Sequence, residues 1–189
     1  MSELDLVRYR RARTADAPAI AALYVDSWRR HYRGAYADTF LDDDVAEDRF
    51  ALWTSRLDQP REDTCALVAE ANDVVVGFAY TIWDEDPRCG ALLENLHVVY
   101  TRKGRGIGTQ LMAQTARALP GRSSVGGLYL WVLEQNAAAQ AFYEARGGTC
   151  TERGLAPPPG GQPGRLAGEP RRLRYVWGDP SELLLWLRP

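Results

Sequence analysis

The chain has 189 residues, of which 46% are hydrophobic and 25% charged, and its formal net charge is −2. That length and apolar content suffice for one sizeable core, while the near-balanced charge excludes the broad basic field by which proteins hold nucleic acid or anionic lipid. Any anionic ligand must therefore be gripped locally.

Cys65, Cys89 and Cys150 are odd in number, far apart and without CxxC or Cys/His ligand spacing, so they read as reduced structural thiols. The opening "MSELDLVRYRRAR" carries charges where a signal peptide needs an apolar core. No apolar run approaches the ~20 residues that span a bilayer. A cytoplasmic protein with neither a membrane nor a nucleic-acid partner is expected.

In chain order, alternating apolar and basic residues from Leu6 to Arg13 predict a half-buried strand. Thr14 and Asp16 then offer capping groups, Pro18 sits in a first turn, and Ile20, Leu23, Tyr24, Ser27 and Trp28 recur at helical spacing. A second helix is expected over roughly Asp42 to Leu57, with Val45, Phe50, Trp53 and Leu57 near one face. "TCALVAEANDVVVGFAYTIW" reads as a hairpin turning at Ala71-Asn72-Asp73. "DEDPRCG" reads as a loop, "ALLENLHVV" as a strand, "GTQLMAQTARAL" as a helix, "GGLYLWVL" as a strand and "NAAAQAFYEARGG" as a helix closed by Gly147. Two last strands, "GTCTERGL" and "RRLRYVWG", flank a Pro/Gly-rich loop at 156–170. "PSELLLWLRP" would close the chain as a short helix with a Leu/Trp face, fit for a dimer contact or an internal lid.

Between an apolar run and a helix-like run, "VVYTRKGRGIGTQLM" places Gly104, Gly106 and Gly108 beside Lys103 and Arg105. Glycines let the backbone turn tightly and approach a ligand, and a helix start presents unpaired N–H groups. The combination favours an anion, most often phosphate. It is neither a Walker A loop nor the dinucleotide fingerprint. A second strand-to-helix unit, "LWVLEQNAAAQAFYEARGG", sets Asn136 at an N-cap and Tyr143 seven residues on. That is about two helical turns, roughly 10 Å along one face, so both residues can line one groove.

These two segments resemble a known family. "LHVVYTRKGRGIGTQLM" is similar to the acyl-CoA-binding motif of the GCN5-related N-acetyltransferases, written R/Q-x-x-G-x-G/A, and "NAAAQAFYEARGG" is similar to their later N-x-x-A-x-x-F-Y segment. "VDSWRRHYRGAY" resembles a stretch common in bacterial members. The resemblance implies an α+β fold, a mixed and mostly antiparallel sheet of about seven strands, in the order β-α-α-β-β-β-α-β-α-β-β. It implies one acetyltransferase domain over residues 1–178, with 179–189 as a C-terminal extension. It further implies acetyl-CoA as cofactor, backbone amides of Arg105, Gly106, Ile107, Gly108 and Thr109 cradling the pyrophosphate together with Lys103 and Gly104, and Leu96 and Val98 pairing with the pantetheine arm. Asn136 would reach the pantetheine, and Tyr143 would face the sulfur. The chain departs from the motif at Lys103, where the family has Arg or Gln, which removes a bidentate side-chain contact.

Acetyl transfer to an amine needs a proton acceptor, a stabilised oxyanion and a proton donor for the departing thiol. Glu94, set in the apolar "LLENL", is the candidate base, the alternative being a solvent-facing strand carboxylate; Glu134 is second. Tyr143 is the candidate acid. An N–H near His97 or Val98 would meet the oxyanion, and His97 itself reads as a satisfied or surface histidine. With no HExxH or clustered His/Cys set, no metal is expected, and "LDDDVAED" reads as the acidic start of a helix.

The acceptor would lie against the first helices and the loops. Trp28, Tyr32 and Trp83 are the candidate substrate contacts, with Tyr36, Trp53 and the acidic "WDEDP" nearby, a set suited to a small cationic amine. The expected partner is a small-molecule amine, and a homodimer fits the C-terminal patch. Two other readings stay open: acetylation of a protein or peptide, and a coenzyme A-binding module without turnover.

Overall fold

A computed structural model describes residues 6–187. The first five residues of the expected domain and the last two of its extension lie outside that range. The strands and helices follow the expected order: β1 (Val7–Arg11), α1 (Ala17–His31), α2 (Val45–Asp58), β2 (Thr64–Ala71), β3 (Val74–Asp86), β4 (Gly90–Val98), α3 (Ile107–Ala118), β5 (Leu128–Leu133), α4 (Ala137–Glu144), β6 (Thr149–Leu155) and β7 (Arg171–Trp177). All seven strands form one sheet in the order β1-β2-β3-β4-β5-β7-β6. Its pairings are antiparallel except that between β4 and β5.

The hairpin between β2 and β3 turns on Asn72 and Asp73 alone, both in the left-handed region (φ 50° and 60°), which short polar side chains tolerate and a twisted hairpin requires. β3 is longer than expected. The stretch read as a loop from Asp84 belongs to the strand as far as Asp86, which pairs with Gly90 beyond an irregularity at Asp84 (φ 54°). The turn that remains is closed by the Asp86 carboxylate, which accepts from Arg88 N (2.8 Å) and Cys89 N (3.2 Å).

Two apolar layers cover the sheet. On one face, Ile107, Leu111 and Met112 of α3 meet Leu128, Leu130 and Val132 of β5, with Tyr175 and Trp177. On the other, Ile20, Leu23, Tyr24 and Trp28 of α1 and Val45 and Trp53 of α2 pack over Val68, Phe78 and Tyr80. Phe50 departs from the face expected of α2 and is 49% exposed. Arg49 takes the inward place, its guanidinium 5.5 Å from the Tyr24 ring and 5.0 Å from that of Trp28, because it lies one helical turn after Val45 and one before Trp53.

The Pro/Gly loop contains two 3-10 turns, Pro159–Gly161 and Pro163–Arg165. It is strapped to the α1–α2 connection by Ala37 N to Arg165 O (3.0 Å), Ala167 N to Ala35 O (2.9 Å) and an Arg165–Asp48 ion pair of 2.7 Å. The closing segment is a 3-10 turn, Pro180–Trp186, docked on α3 through the buried Leu183 while Leu185 is exposed.

Candidate active site

β4 and β5 hold together over only two residue pairs, Ala91–Leu128 and Leu92–Tyr129, and then part. The cause lies in β4. Tyr80 pairs with Asn95 and Thr81 with Leu93, so Glu94 is an extra residue that bends the strand. Beyond the bulge β4 keeps its pairing with β3 and runs clear of β5. A cleft of about 1740 Å³ opens between them, lined by Leu96 and Val98 on one side and Leu130, Trp131 and Val132 on the other.

The glycine turn closes one end of this cleft, and residues 102–110 all line it. Gly106 is the N-cap of α3 with φ 84°, a conformation that costs other residues about 1–2 kcal/mol. Gly104 also has a positive φ, 77°. Gly108 serves packing instead, since a Cβ there would lie 3.2 Å from Phe142 on α4. Within α3, Gln110 N bonds to Gly106 O, so the amides of Ile107, Gly108 and Thr109 precede the first intrahelical donor. These orphan N–H groups meet an anion's needs, and Arg105, Arg117 and Arg146 add positive charge along the same wall. Arg146 has no carboxylate partner among the described residues; its Nε donates to Thr109 Oγ1 (2.8 Å) and one terminal nitrogen to Phe142 O (2.9 Å). Desolvation pushes its pKa down, a cost that a bound phosphate would offset. Orphan amides, glycine turn, unpaired cation and free strand edge together fit coenzyme A. Trp186, 47% exposed, flanks the same wall, its carbonyl accepting from Gln110.

Lys103, the departure from the motif, turns toward α1, where its Nζ lies 2.8 Å from His31 Nε2. Burial depresses the pKa of both groups, and the charges of Lys103 and Arg30 further disfavour protonation of His31.

Tyr143 lines the cleft, 9% exposed, its ring between Phe142 (5.3 Å) and Tyr175 (6.0 Å) with Trp177 at 6.1 Å. Burial raises its pKa well above that of a free phenol. Its hydroxyl makes no hydrogen bond to any described residue. Asn136 also lines the cleft, but its side-chain oxygen accepts from Ala139 N (3.2 Å), so it caps α4. Glu94 lines the cleft as well. Its setting is not the apolar one expected, for the bulge exposes it and Arg56 of α2 grips both its oxygens at 2.5 and 3.0 Å. Glu134 lies outside the cleft and pairs with Arg153 at 2.7 Å.

His97 proves a satisfied wall residue. Its Nδ1 lies 2.9 Å from Ser27 Oγ, and its ring packs beside Tyr24 and Phe78. Burial, with Lys103 and His31 adding to it, pushes its pKa down to about 3, so the ring is neutral.

Of the three expected acceptor contacts only Tyr32 lines the cleft. Trp28, 5% exposed, stacks behind it with ring centroids 5.1 Å apart and an interplanar angle of 23°. Trp83, 5% exposed, is in the core, because β3 continues through it and the alternation of the strand turns its indole inward. Trp53 is fully buried. None of residues 83–87 lines the cleft: Asp84 accepts from Ser124, and Asp86 holds Arg174. The acidic surroundings expected for a cationic acceptor are absent there. Sequence reasoning missed Trp131 and Arg146, whose places in the cleft follow from the parting of β5 from β4 and from the end of α4.

The family model for the acetyltransferase (GNAT) family matches residues 19–148. The chain belongs to that family. It is an N-acetyltransferase that uses acetyl-CoA. It is 24% identical over 143 residues to a probable N-acetyltransferase of Mycobacterium tuberculosis, covering 74% of this chain and 78% of that one. In fold it is similar to PaiA N-acetyltransferase of Thermoplasma acidophilum in complex with coenzyme A (TM-score 0.68, 17% identity, 91% of this chain and 99% of that one). It is likewise similar to a ribosomal-protein-alanine N-acetyltransferase of Brucella melitensis (TM-score 0.65, 24% identity, 90% and 98%). Among the described residues no helix of the acetyltransferase is long and apolar enough to cross a membrane, and no group of three or more His, Cys, Asp or Glu could hold a metal.

Proposed function

We propose that this acetyltransferase moves the acetyl group directly from the coenzyme to a primary amine of a small molecule, with both bound at once, in one domain closed by the docked C-terminal turn. The observation that carries this reading is a single cleft in which the glycine turn, the free edge of β4 and the partnerless Tyr143 hydroxyl come together with Tyr32 of α1. When bound, acetyl-CoA supplies the activated acyl carbonyl.

In this reading the amides of Ile107, Gly108 and Thr109 receive the pyrophosphate, with Gly104 and Gly106 giving the turn its shape and Lys103 and Arg105 its charge. Beyond Glu94, the parted edge at Leu96 and Val98 offers backbone groups to an extended arm. A backbone N–H there receives the oxyanion as it forms, held rigid by the β3 pairing. Asn136 fixes the start of α4, which points Tyr143 into the cleft. Glu94, turned outward by the bulge and held by Arg56, takes the amine's proton directly or through water. Tyr143 holds a proton for the departing sulfur. Because burial makes its phenol a weaker acid than usual, it acts first as a hydrogen-bond donor and gives up the proton only as the carbon–sulfur bond breaks.

Calorimetry of acetyl-CoA binding, run beside an assay of free thiol released with a panel of primary amines, tests the reading. Binding with amine-dependent release is expected. No binding would remove the assignment of the glycine turn, and binding without release across the panel would favour the non-catalytic or protein-directed alternatives.

A further inference from the structure

On the sheet face that carries α1, β7 sets two arginines beside Trp131, and only one of them is neutralised. Arg174 forms ion pairs with Asp86 (3.2 Å) and Glu152 (3.3 Å). The Arg172 guanidinium forms no ion pair and no hydrogen bond with any described residue; its Nε, like that of Arg174, is buried without a hydrogen-bond partner. Its guanidinium carbon stacks 4.0 Å from the Trp131 ring, while that of Arg174 lies 4.7 Å from the same ring.

A buried donor without an acceptor is costly, and a second cation nearby adds to the cost. Both effects act here: desolvation and then Arg174 lower the pKa of Arg172, and the opposing influence of Tyr36, Glu152 and Tyr129 does not cancel them. The indole offsets part of this through its π face. A guanidinium stacked on a ring donates in its own plane, away from that ring, in the fork geometry that fits a carboxylate.

Arg172 does not itself line the cleft; it reaches the wall through the ring it stacks on. Trp131 itself lines the cleft. Arg172 also acts electrostatically on the buried Tyr36 phenol, whose ring is 5.0 Å from that of Tyr32, and Tyr32 lines the cleft.

We infer that the acceptor is an amino carboxylate, whose carboxylate is received by Arg172 on the face of Trp131 while its amine reaches the acetyl carbon. This rests on the acetyl-transfer reading above and replaces the plain cationic amine with an acceptor of opposite local charge. Arg172 is then a specificity-determining residue. It takes no part in the proton transfers.

The test compares the wild-type protein with Arg172→Gln and Arg172→Lys in thiol release from acetyl-CoA, using a set of α-amino acids and short peptides and the matching carboxamides. Acids are expected to be the better substrates. Arg172→Gln should raise KM for acids about tenfold to a hundredfold, the size of a lost charge-assisted hydrogen bond. It should leave kcat, the KM of the carboxamides and the acetyl-CoA affinity unchanged, and Arg172→Lys should restore part of the loss. An unchanged melting temperature in both variants separates a lost contact from a damaged fold. Carboxamides used as well as acids, or an unchanged KM for acids in Arg172→Gln, would overturn the inference. So would bound acetyl-CoA with no transfer to any acid. Failure to bind acetyl-CoA at all overturns instead the reading on which it rests.

Discussion

Replacing Tyr143 with phenylalanine removes one oxygen and leaves the ring contacts with Phe142, Tyr175 and Trp177 in place. Because the hydroxyl has no partner among the described residues, its loss breaks no hydrogen bond within the protein. The stability change should therefore be within about 1 kcal/mol of zero, the scale of one hydroxyl's net contribution, and on the favourable side if desolvation of the phenol dominates. Turnover should respond very differently. A positioned proton donor contributes about a hundredfold to ten-thousandfold, so kcat should fall by that factor, roughly 3–5 kcal/mol of transition-state stabilisation. Acetyl-CoA affinity should be unchanged, since the cradle lies on α3. The pH profile adds a check. Burial raises the phenol's pKa above its usual value of about 10, so wild-type activity should show no loss below pH 10 that Tyr143→Phe abolishes. Steady-state kinetics with calorimetry on both proteins gives all of these quantities. A kcat within twofold of wild type would refute the argument, and a large loss of stability with unchanged kcat would make Tyr143 a packing residue.

Gly106→Glu forces a side chain into a left-handed position and sets a carboxylate against the expected pyrophosphate, so acetyl-CoA affinity by calorimetry should fall more than about a hundredfold. Glu94→Gln should lower kcat about tenfold to a hundredfold with coenzyme affinity unchanged, and wild-type turnover in this variant would place the base elsewhere. His97, neutral in the fold with a pKa near 3, must be protonated in the unfolded chain below about pH 6.5. Its contribution to stability is thus present above pH 6.5 and lost as pH falls toward 3, with His31 acting in the same direction. Denaturant unfolding should show stability dropping by up to about 1.4 kcal/mol per pH unit over that window on account of His97, and His97→Gln should reduce the slope.

The order of strands and helices was legible because each reports itself locally. Alternation marks the strands, helical spacing marks α1 and α3, and the pair Asn72-Asp73 marks a hairpin that few residues other than glycine could turn. The glycine turn and the Asn136-to-Tyr143 spacing were equally local, and the structure brings both into one cleft. What the sequence alone could not decide depends on partners distant along the chain. Trp83 reads as an acceptor contact at the end of a strand until β3 runs on past it and turns the ring into the core. Glu94 reads as a carboxylate among leucines until a register shift bulges it outward to Arg56, thirty-eight residues away. Arg172 and Arg174 are equivalent in "RRLRYVW", and only the assembled sheet brings Asp86 of β3 and Glu152 of β6 to ion-pair with Arg174 while leaving the Arg172 guanidinium on Trp131 without an ion pair. The sequence by itself determined the fold family, its element order and the place of the glycine turn, because these are written in short-range spacing. The tertiary structure alone decided the setting of Glu94 and the pairing of Arg172 and Arg174, because burial and ion pairing are properties of residues that meet only when the sheet is assembled.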